Sequence, residues 1–269
     1  PEKANTKTIG VVIQPSMVPS LSLSVDWFDI KITDAIQRYG ADAILSACVG
    51  GNTAACGLVH RDPAGSLWLT SNGYVTDIQH NVGGVQTRGI EVSASYSHEI
   101  GNLGKLNLSM MGTYLSKFET DNGLTAIYDC AGYYGSTCGT PAPKWRHKAR
   151  ATFNMKNGLG LSLAWRHIGS VKAEFSNPSA TLNGNVYDFA AKLPAQNYFD
   201  LNLTAKLAGH FSWQLGVNNI FDREPPLVHS GSGNFGQSGC ASTLCNGNTY
   251  PGTYDSLGRY IYTGITLDF

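Results

Sequence analysis

Apolar and polar residues alternate along most of this chain, with a period of two. In Leu21-Ser22-Leu23-Ser24-Val25-Asp26-Trp27 the odd positions are apolar, and in Ile90-Glu91-Val92-Ser93-Ala94-Ser95-Tyr96 the even ones are. The pattern recurs in Leu106–Met110, Leu159–Trp165, Phe199–Leu207 and Phe211–Val217, and at the end Ile261, Thr263, Ile265, Leu267 and Phe269 share a face. A period of two is the signature of strands with one apolar face, and the helical period is almost absent. It predicts nine strands, at about 8–14, 20–32, 75–98, 104–119, 145–156, 159–168, 197–207, 210–219 and 259–269. Most are near the roughly 9–11 residues of a tilted membrane-crossing strand, and longer than the roughly 5–6 usual in soluble proteins.

The connections alternate in length. Those at Pro15–Pro19, Glu99–Leu103, Asn157-Gly158 and around Gly209 are short, whereas 33–74, 120–144, 169–196 and 220–258 are long. Short turns at one end and long loops at the other describe an antiparallel transmembrane β-barrel whose long loops are extracellular. Asn157-Gly158 suits a type I′ hairpin, whose two central residues both need positive φ. Within the first long loop, Asp34–Tyr39 is read as one or two helical turns. Asp62-Pro63-Ala64-Gly65 fits a type I turn, and Asn72-Gly73 is expected to close a hairpin between Leu67–Thr70 and Tyr74–Ile78.

Composition supports a barrel. Charged residues make up 14% of the chain, below the roughly 25% of soluble domains. The 19 basic and 19 acidic residues cancel, which argues against a nucleic-acid partner. No apolar run reaches the roughly 18 residues of a transmembrane helix. The chain opens on Pro1-Glu2-Lys3, with no methionine or apolar leader, so upstream residues are expected to be missing.

All six cysteines fall in the long loops, two to a loop: Cys48 and Cys56, Cys130 and Cys138, Cys240 and Cys245. An even count in an oxidising compartment reads as disulfides, and proximity favours the three local pairs. A metal site is disfavoured by the spacing, since no C-x-x-C occurs.

Several motifs resemble those of the TonB-dependent receptors. Leu215-Gly216-Val217-Asn218-Asn219-Ile220-Phe221-Asp222 looks like their penultimate-strand motif. Tyr262-Thr263-Gly264-Ile265-Thr266-Leu267-Asp268-Phe269 resembles the C-terminal signal read by the outer-membrane assembly machinery, with Gly264, Leu267 and Phe269 in its key places. Val25–Ile30, Thr87–Val92 and Trp145–Lys148 match further segments in order. The resemblance implies an outer-membrane location in a Gram-negative bacterium, contact with membrane lipid, and energy-coupled uptake of a scarce small-molecule solute such as a ferric siderophore, cobalamin or an oligosaccharide. It also implies a plug domain that contacts the TonB complex and a barrel of about 22 strands. On that reading residues 1–269 are the last nine strands, without plug, TonB contact or N-terminal strands.

Strand parity carries the site expectations. If Ala149, Ala151, Phe153 and Met155 face lipid, then Arg146, Lys148 and Arg150 face the lumen, and Arg166 joins them from the next strand. This basic ladder could attract an anionic solute; the plainer reading is pairing with barrel acids such as Asp26 and Glu91, or with the plug. Aromatic residues near strand ends (Trp27, Phe28, Tyr114, Trp145, Trp165, Tyr198, Trp213, Tyr260) are expected in interfacial girdles. Tyr133 and Tyr134, in a loop, are candidate ligand contacts. Gly231–Gly236 matches G-x-G-x-x-G but lacks the strand-to-helix context of a dinucleotide site. No H-E-x-x-H or G-x-S-x-G occurs, so neither an enzyme nor a cofactor is expected. Two rivals remain open: a porin or other outer-membrane barrel lacking its N-terminal half, and a soluble secreted β-sandwich or adhesin.

Overall fold

The computed structural model describes residues 1–81, 83–185, 191–208, 211–228 and 245–267. Nine long strands form a single antiparallel meander in chain order. They are β1 (Lys3–Ile13), β2 (Leu21–Thr33), β3 (Gly84–Ile100), β4 (Gly104–Asp121), β5 (Trp145–Met155), β6 (Leu159–Ile168), β7 (Gln196–Ala208), β8 (Phe211–Asn218) and β9 (Tyr260–Leu267). Each strand pairs antiparallel with its sequence neighbours, across the short connections and the long ones alike.

The register turns alternation into two faces. Leu23, Val25 and Trp27 on β2 oppose Ala94, Val92 and Ile90 on β3, and Leu161, Leu163 and Trp165 on β6 oppose Leu203, Leu201 and Phe199 on β7. This apolar face is bare: Ile9 is 70% exposed and Ile265 63%. The polar face carries Ser24, Asp26, Glu91, Ser93, Ser109, Thr152, Ser162 and Asn202. Contiguous exposed apolar surface on one face and a hydrophilic opposite face describe a sheet meant for lipid outside and water inside.

Departures from expectation are local. The third strand begins at Gly84, not near residue 75, because Tyr74–Val75 and His80–Asn81 pair inside the long connection, with Val59–His60 and Ile36–Gln37 respectively. Those pairings also replace the hairpin expected across Asn72-Gly73 and the helical turns expected at Asp34–Tyr39. Helix instead occupies Ala41–Val49 (α1) and Thr53–Cys56 (α2), joined by a Cys48–Cys56 disulfide. The turn at Asp62–Gly65 forms as expected, with Gly65 N–H donating to Asp62 O at 2.8 Å.

At Asn157-Gly158 the turn is not type I′. Gly158 has φ of 87° but Asn157 is not at positive φ, and Gly158 N–H returns to Met155 O. Lys156 and Asn157 make the turn and Gly158 takes the left-handed place after it, the usual three-residue alternative. The Asn157 side chain favours it by accepting from Leu159 N–H at 3.2 Å.

Three of the long connections fold onto one another. Tyr133–Tyr134, Val171–Ala173 and Lys192–Leu193 form a small sheet over a core of Tyr134, Val171, Ala173, Leu193, Val228, Tyr250 and Tyr254. Glu174, buried beside it, accepts from Ser136 Oγ and from the backbone N–H of Thr137 and Cys138. Its carboxylate thereby holds the segment closed by the Cys130–Cys138 disulfide. Cys245 is disulfide-bonded as well, while Cys240 lies outside the described residues.

Candidate functional site

The polar face concentrates charge on β5 to β7. Lys148 lies opposite Met111 on β4 and Arg166 on β6, and Arg150 lies opposite Ser109 and Ala164. Two cations directly opposite each other, as Lys148 and Arg166 are, repel unless acids intervene. Asp200 on β7 and Asp255, from the loop before β9, supply them. Arg166 donates through Nε to Asp200 at 2.7 Å and through Nη2 to Asp255 at 2.6 Å, with further bonds to both carboxylates. Its guanidinium also lies 5.0 Å from the centroid of the buried Tyr198 ring. Arg166 is thus saturated, and it ties the last long loop to the sheet.

The rest of the ladder is less engaged. Arg150 donates to Ser162 Oγ at 2.9 Å. Among the described residues Arg146, Lys148 and Arg150 form no ion pair. Neither Asp26 nor Glu91 reaches the ladder: they face each other across β2 and β3, in the same row as Arg146 but with Thr113 between. The plainer reading therefore holds for Arg166, with different acids from those expected, and leaves three cations over.

Two of those cations, Lys148 and Arg150, border a pocket of about 660 Å³ under the loop at 251–258, which Asp200, Asp255, Asn202, Tyr254, Tyr260 and Tyr262 also line. Tyr254 is 2% exposed and its hydroxyl has no hydrogen-bond partner among the described residues. Burial pushes this phenol above its ordinary pKa, so it stays a protonated donor. Tyr262 can lie flat across β8 because residue 216 is glycine; a Cβ there would sit 2.0 Å from the Tyr262 ring. Asn202 Nδ2 donates to the Tyr262 hydroxyl at 3.3 Å. Arg166 neutralises Asp200 and Asp255 at one side of this space, so with Lys148 and Arg150 the pocket holds three cations against two carboxylates, a balance that suits an acceptor-rich, negatively charged ligand.

The Asn219–Asp222 segment anchors the same region. Asn219 is fully buried at φ of 53°; its side chain accepts from Arg223 N–H and donates to Arg223 O, and its N–H donates to Asp200 Oδ1. Asp222 accepts from Arg259 N–H at 2.7 Å, pinning the entry to β9. The motif is a double latch that fixes both the end of β8 and the acid that holds Arg166.

Other sequence expectations resolve by position. Trp27, Tyr114, Trp145, Trp165 and Trp213 stand on the apolar face, but Phe28, Tyr198 and Tyr260 stand on the polar one. Tyr134 is buried in the loop core against Tyr250, so it is not offered to a ligand; Tyr133 packs on the cluster of Tyr128, Cys130, Cys138 and Leu182. Gly264 and Leu267 lie on β9, while Phe269 and the glycine-rich run at 231–236 lie outside the described residues. Asp200, Tyr254, Asp255 and Tyr262 were not among the sequence candidates. Parity places Asp200 and Tyr262, whereas nothing periodic marks the two loop residues.

A family model described as TonB dependent receptor-like, beta-barrel, matches residues 1–220. The chain belongs to that family. All of it superposes on 31% of the ferric enterobactin receptor PfeA of Pseudomonas aeruginosa, at 16% identity and a TM-score of 0.61. It superposes likewise on 32% of the siderophore receptor PirA of Acinetobacter baumannii, at 14% and 0.56. For the FrpB iron transporter of Neisseria meningitidis the share is 31%, at 14% and 0.58. At such identities the likeness is one of fold, and this chain spans about a third of each of those receptors. No curated protein sequence matches it. In a barrel of this family the apolar face is the outer surface of the wall and the polar face its lumen.

Proposed function

We propose that residues 1–269 are the last nine strands of a TonB-dependent uptake receptor with a plugged barrel of about 22 strands, and that its cargo is an anionic ferric chelate of the siderophore class. The observation that supports the cargo is the pocket that Lys148 and Arg150, which form no ion pair among the described residues, share with Tyr260 and Tyr262. A multiply charged oxygen-rich chelate satisfies both cations; a neutral solute leaves them unpaired. The loops capture the cargo, Lys148 and Arg150 hold it against the wall, and the plug, driven through TonB, releases it inward. Gly264, Leu267 and Phe269 serve assembly of the last strand.

The test uses the full-length receptor in detergent, with fluorescence quenching by ferric complexes of a tricatecholate and of a neutral trihydroxamate. The tricatecholate is expected to bind more tightly, and K148Q and R150Q each to weaken it about tenfold, the loss of one charge-assisted bond. Equal affinity for the two complexes, or no effect of either substitution, refutes the assignment.

A further inference from the structure

Asn-Gly occurs five times in the chain, beginning at Asn72, Asn122, Asn157, Asn183 and Asn246. The pair is prone to spontaneous deamidation, because glycine has no Cβ to hinder its amide nitrogen or stiffen its backbone. That nitrogen attacks the asparagine Cγ. It must therefore be free, and the side chain must be able to swing onto it.

The fold separates the five. Gly73 N–H donates to Thr70 O at 3.1 Å, Gly158 N–H to Met155 O at 3.2 Å and Gly184 N–H to Phe175 O at 3.0 Å. Gly123 N–H donates to Asp121 Oδ1 at 2.9 Å. Asparagine side chains are held as well: Asn122 Oδ1 accepts from the N–H of Leu124 and of Thr125, Asn157 Oδ1 accepts from Leu159 N–H, and Asn183 Nδ2 donates to Asn177 O. Gly247 N–H and the Asn246 side chain form no hydrogen bond among the described residues, and both residues are exposed.

The turn explains the free amide. Asn246 and Thr249 exchange both backbone bonds, at 3.0 and 3.2 Å, across Gly247 and Asn248, whose φ values of 59° and 56° make a type I′ turn. Both bonds belong to the flanking residues, so the first central N–H is left to solvent. The turn is also a support. Asn248 O accepts from Val228 N–H at 2.7 Å, Thr249 Oγ1 donates to Pro226 O at 2.9 Å, and Tyr250 is fully buried in the loop core. On the other side Cys245 is disulfide-bonded and packs on the same core. With both ends fixed, a main chain lengthened between them cannot keep the paired bonds.

We propose that Asn246 is a self-modifying site, whose spontaneous deamidation opens the turn that anchors the last long loop. Gly247 N bonds to Asn246 Cγ, its proton passes to the departing amide nitrogen, and ammonia leaves. Water then opens the resulting succinimide at one of its two carbonyls. One product is aspartate; the other is isoaspartate, with an extra methylene in the main chain. Both gain a carboxylate, and neither step needs an oxidant, a cofactor or an enzyme. None of this depends on what the cargo is.

The experiment ages the full-length receptor, in neutral detergent, in alkaline buffer made with heavy-oxygen water, then digests it in ordinary water and maps the peptides by mass spectrometry. Asn246 is expected to take up heavy oxygen about tenfold faster than Asn72, Asn122, Asn157 or Asn183, the weight of the hydrogen bond that protects each of the other glycines. In urea the five should react at similar rates, and N246Q should stay unmodified at that position. Hydrogen exchange at 246–250 should quicken in the aged receptor, but not in aged N246Q or in fresh N246D, which carries the charge without the methylene. Faster reaction at any of the other four in the folded receptor, a lead of Asn246 that persists undiminished in urea, or an aged turn that exchanges as slowly as that of N246D overturns the proposal.

Discussion

Arg166 shows how one side chain joins wall and loop. Its guanidinium satisfies Asp200 and Asp255 together, each through two bonds. R166M should therefore leave two acids facing each other and destabilise the receptor by about 2 kcal/mol, less than the 3–5 of fully buried pairs because the side chain is 27% exposed. R166K should recover less than half, since an ammonium cannot serve two carboxylates as a fork. The midpoint of urea unfolding in micelles measures both. D255N should leave that midpoint nearly unchanged yet speed proteolytic cleavage within 245–258, because it frees the loop alone. The burial of Tyr254 and Tyr128 gives a pH signature at the same scale. Burial raises both phenols, and Glu174's charge adds to the effect on Tyr128. A phenol raised in the folded state favours folding fully below its unfolded pKa of about 10, and that contribution is lost as pH rises above it. In an ultraviolet titration of ionised tyrosine, the Y254F receptor should lack one of the latest-titrating phenols, and the loop core should open only above about pH 10.

The strands were legible because a face that meets lipid leaves a period of two that nothing interrupts; Leu21–Trp27 needs no tertiary context to be read. Helix α1 was not, for the same physical reason inverted. Its N-cap is Gly40, with no side chain to cap it, and its nine residues have no capping box; the Cys48–Cys56 bridge and packing hold it. The ladder was legible through parity, whereas Asp255 and Tyr254 come from an aperiodic loop, and their meeting with Arg166 is decided by three-dimensional closure. Glu174 belongs to the same class: its neighbours in sequence give no hint that its partners lie at Ser136–Cys138. This element offers a test. C130A/C138A removes a bridge spanning a sequence separation of 8, worth about 2–3 kcal/mol by the chain-entropy argument. Glu174 still holds the segment, so the loop core should loosen without opening. Hydrogen exchange is expected to quicken at Cys130–Gly139 and stay slow in β5 and β6; adding E174A should release the whole small sheet. Equal exchange in both variants would show that the carboxylate contributes nothing.

At the scale of the molecule, the sheet has two ends. β1 pairs on one side with β2 and β9 on one side with β8, so among the described residues the outer edge of each strand has no partner. In hydrocarbon an unpaired peptide group costs several kcal/mol, and only a closed barrel avoids it. With eleven residues in β1 and eight in β9, even half of those groups exposed to lipid outweighs the roughly 5–15 kcal/mol by which domains are stable. The exposed face adds a second penalty in water, since Ile9, Val11, Ile261 and Ile265 lie open on it. Residues 1–269 expressed alone should thus neither stay soluble in buffer nor give the heat-resistant compact band of a closed barrel in detergent. Supplying the preceding strands of the receptor as a separate chain should restore that band, because it offers β1 and β9 their missing neighbours. A soluble, cooperatively melting monomer without detergent would contradict the two-edge account and favour a sandwich, whose apolar faces cover each other.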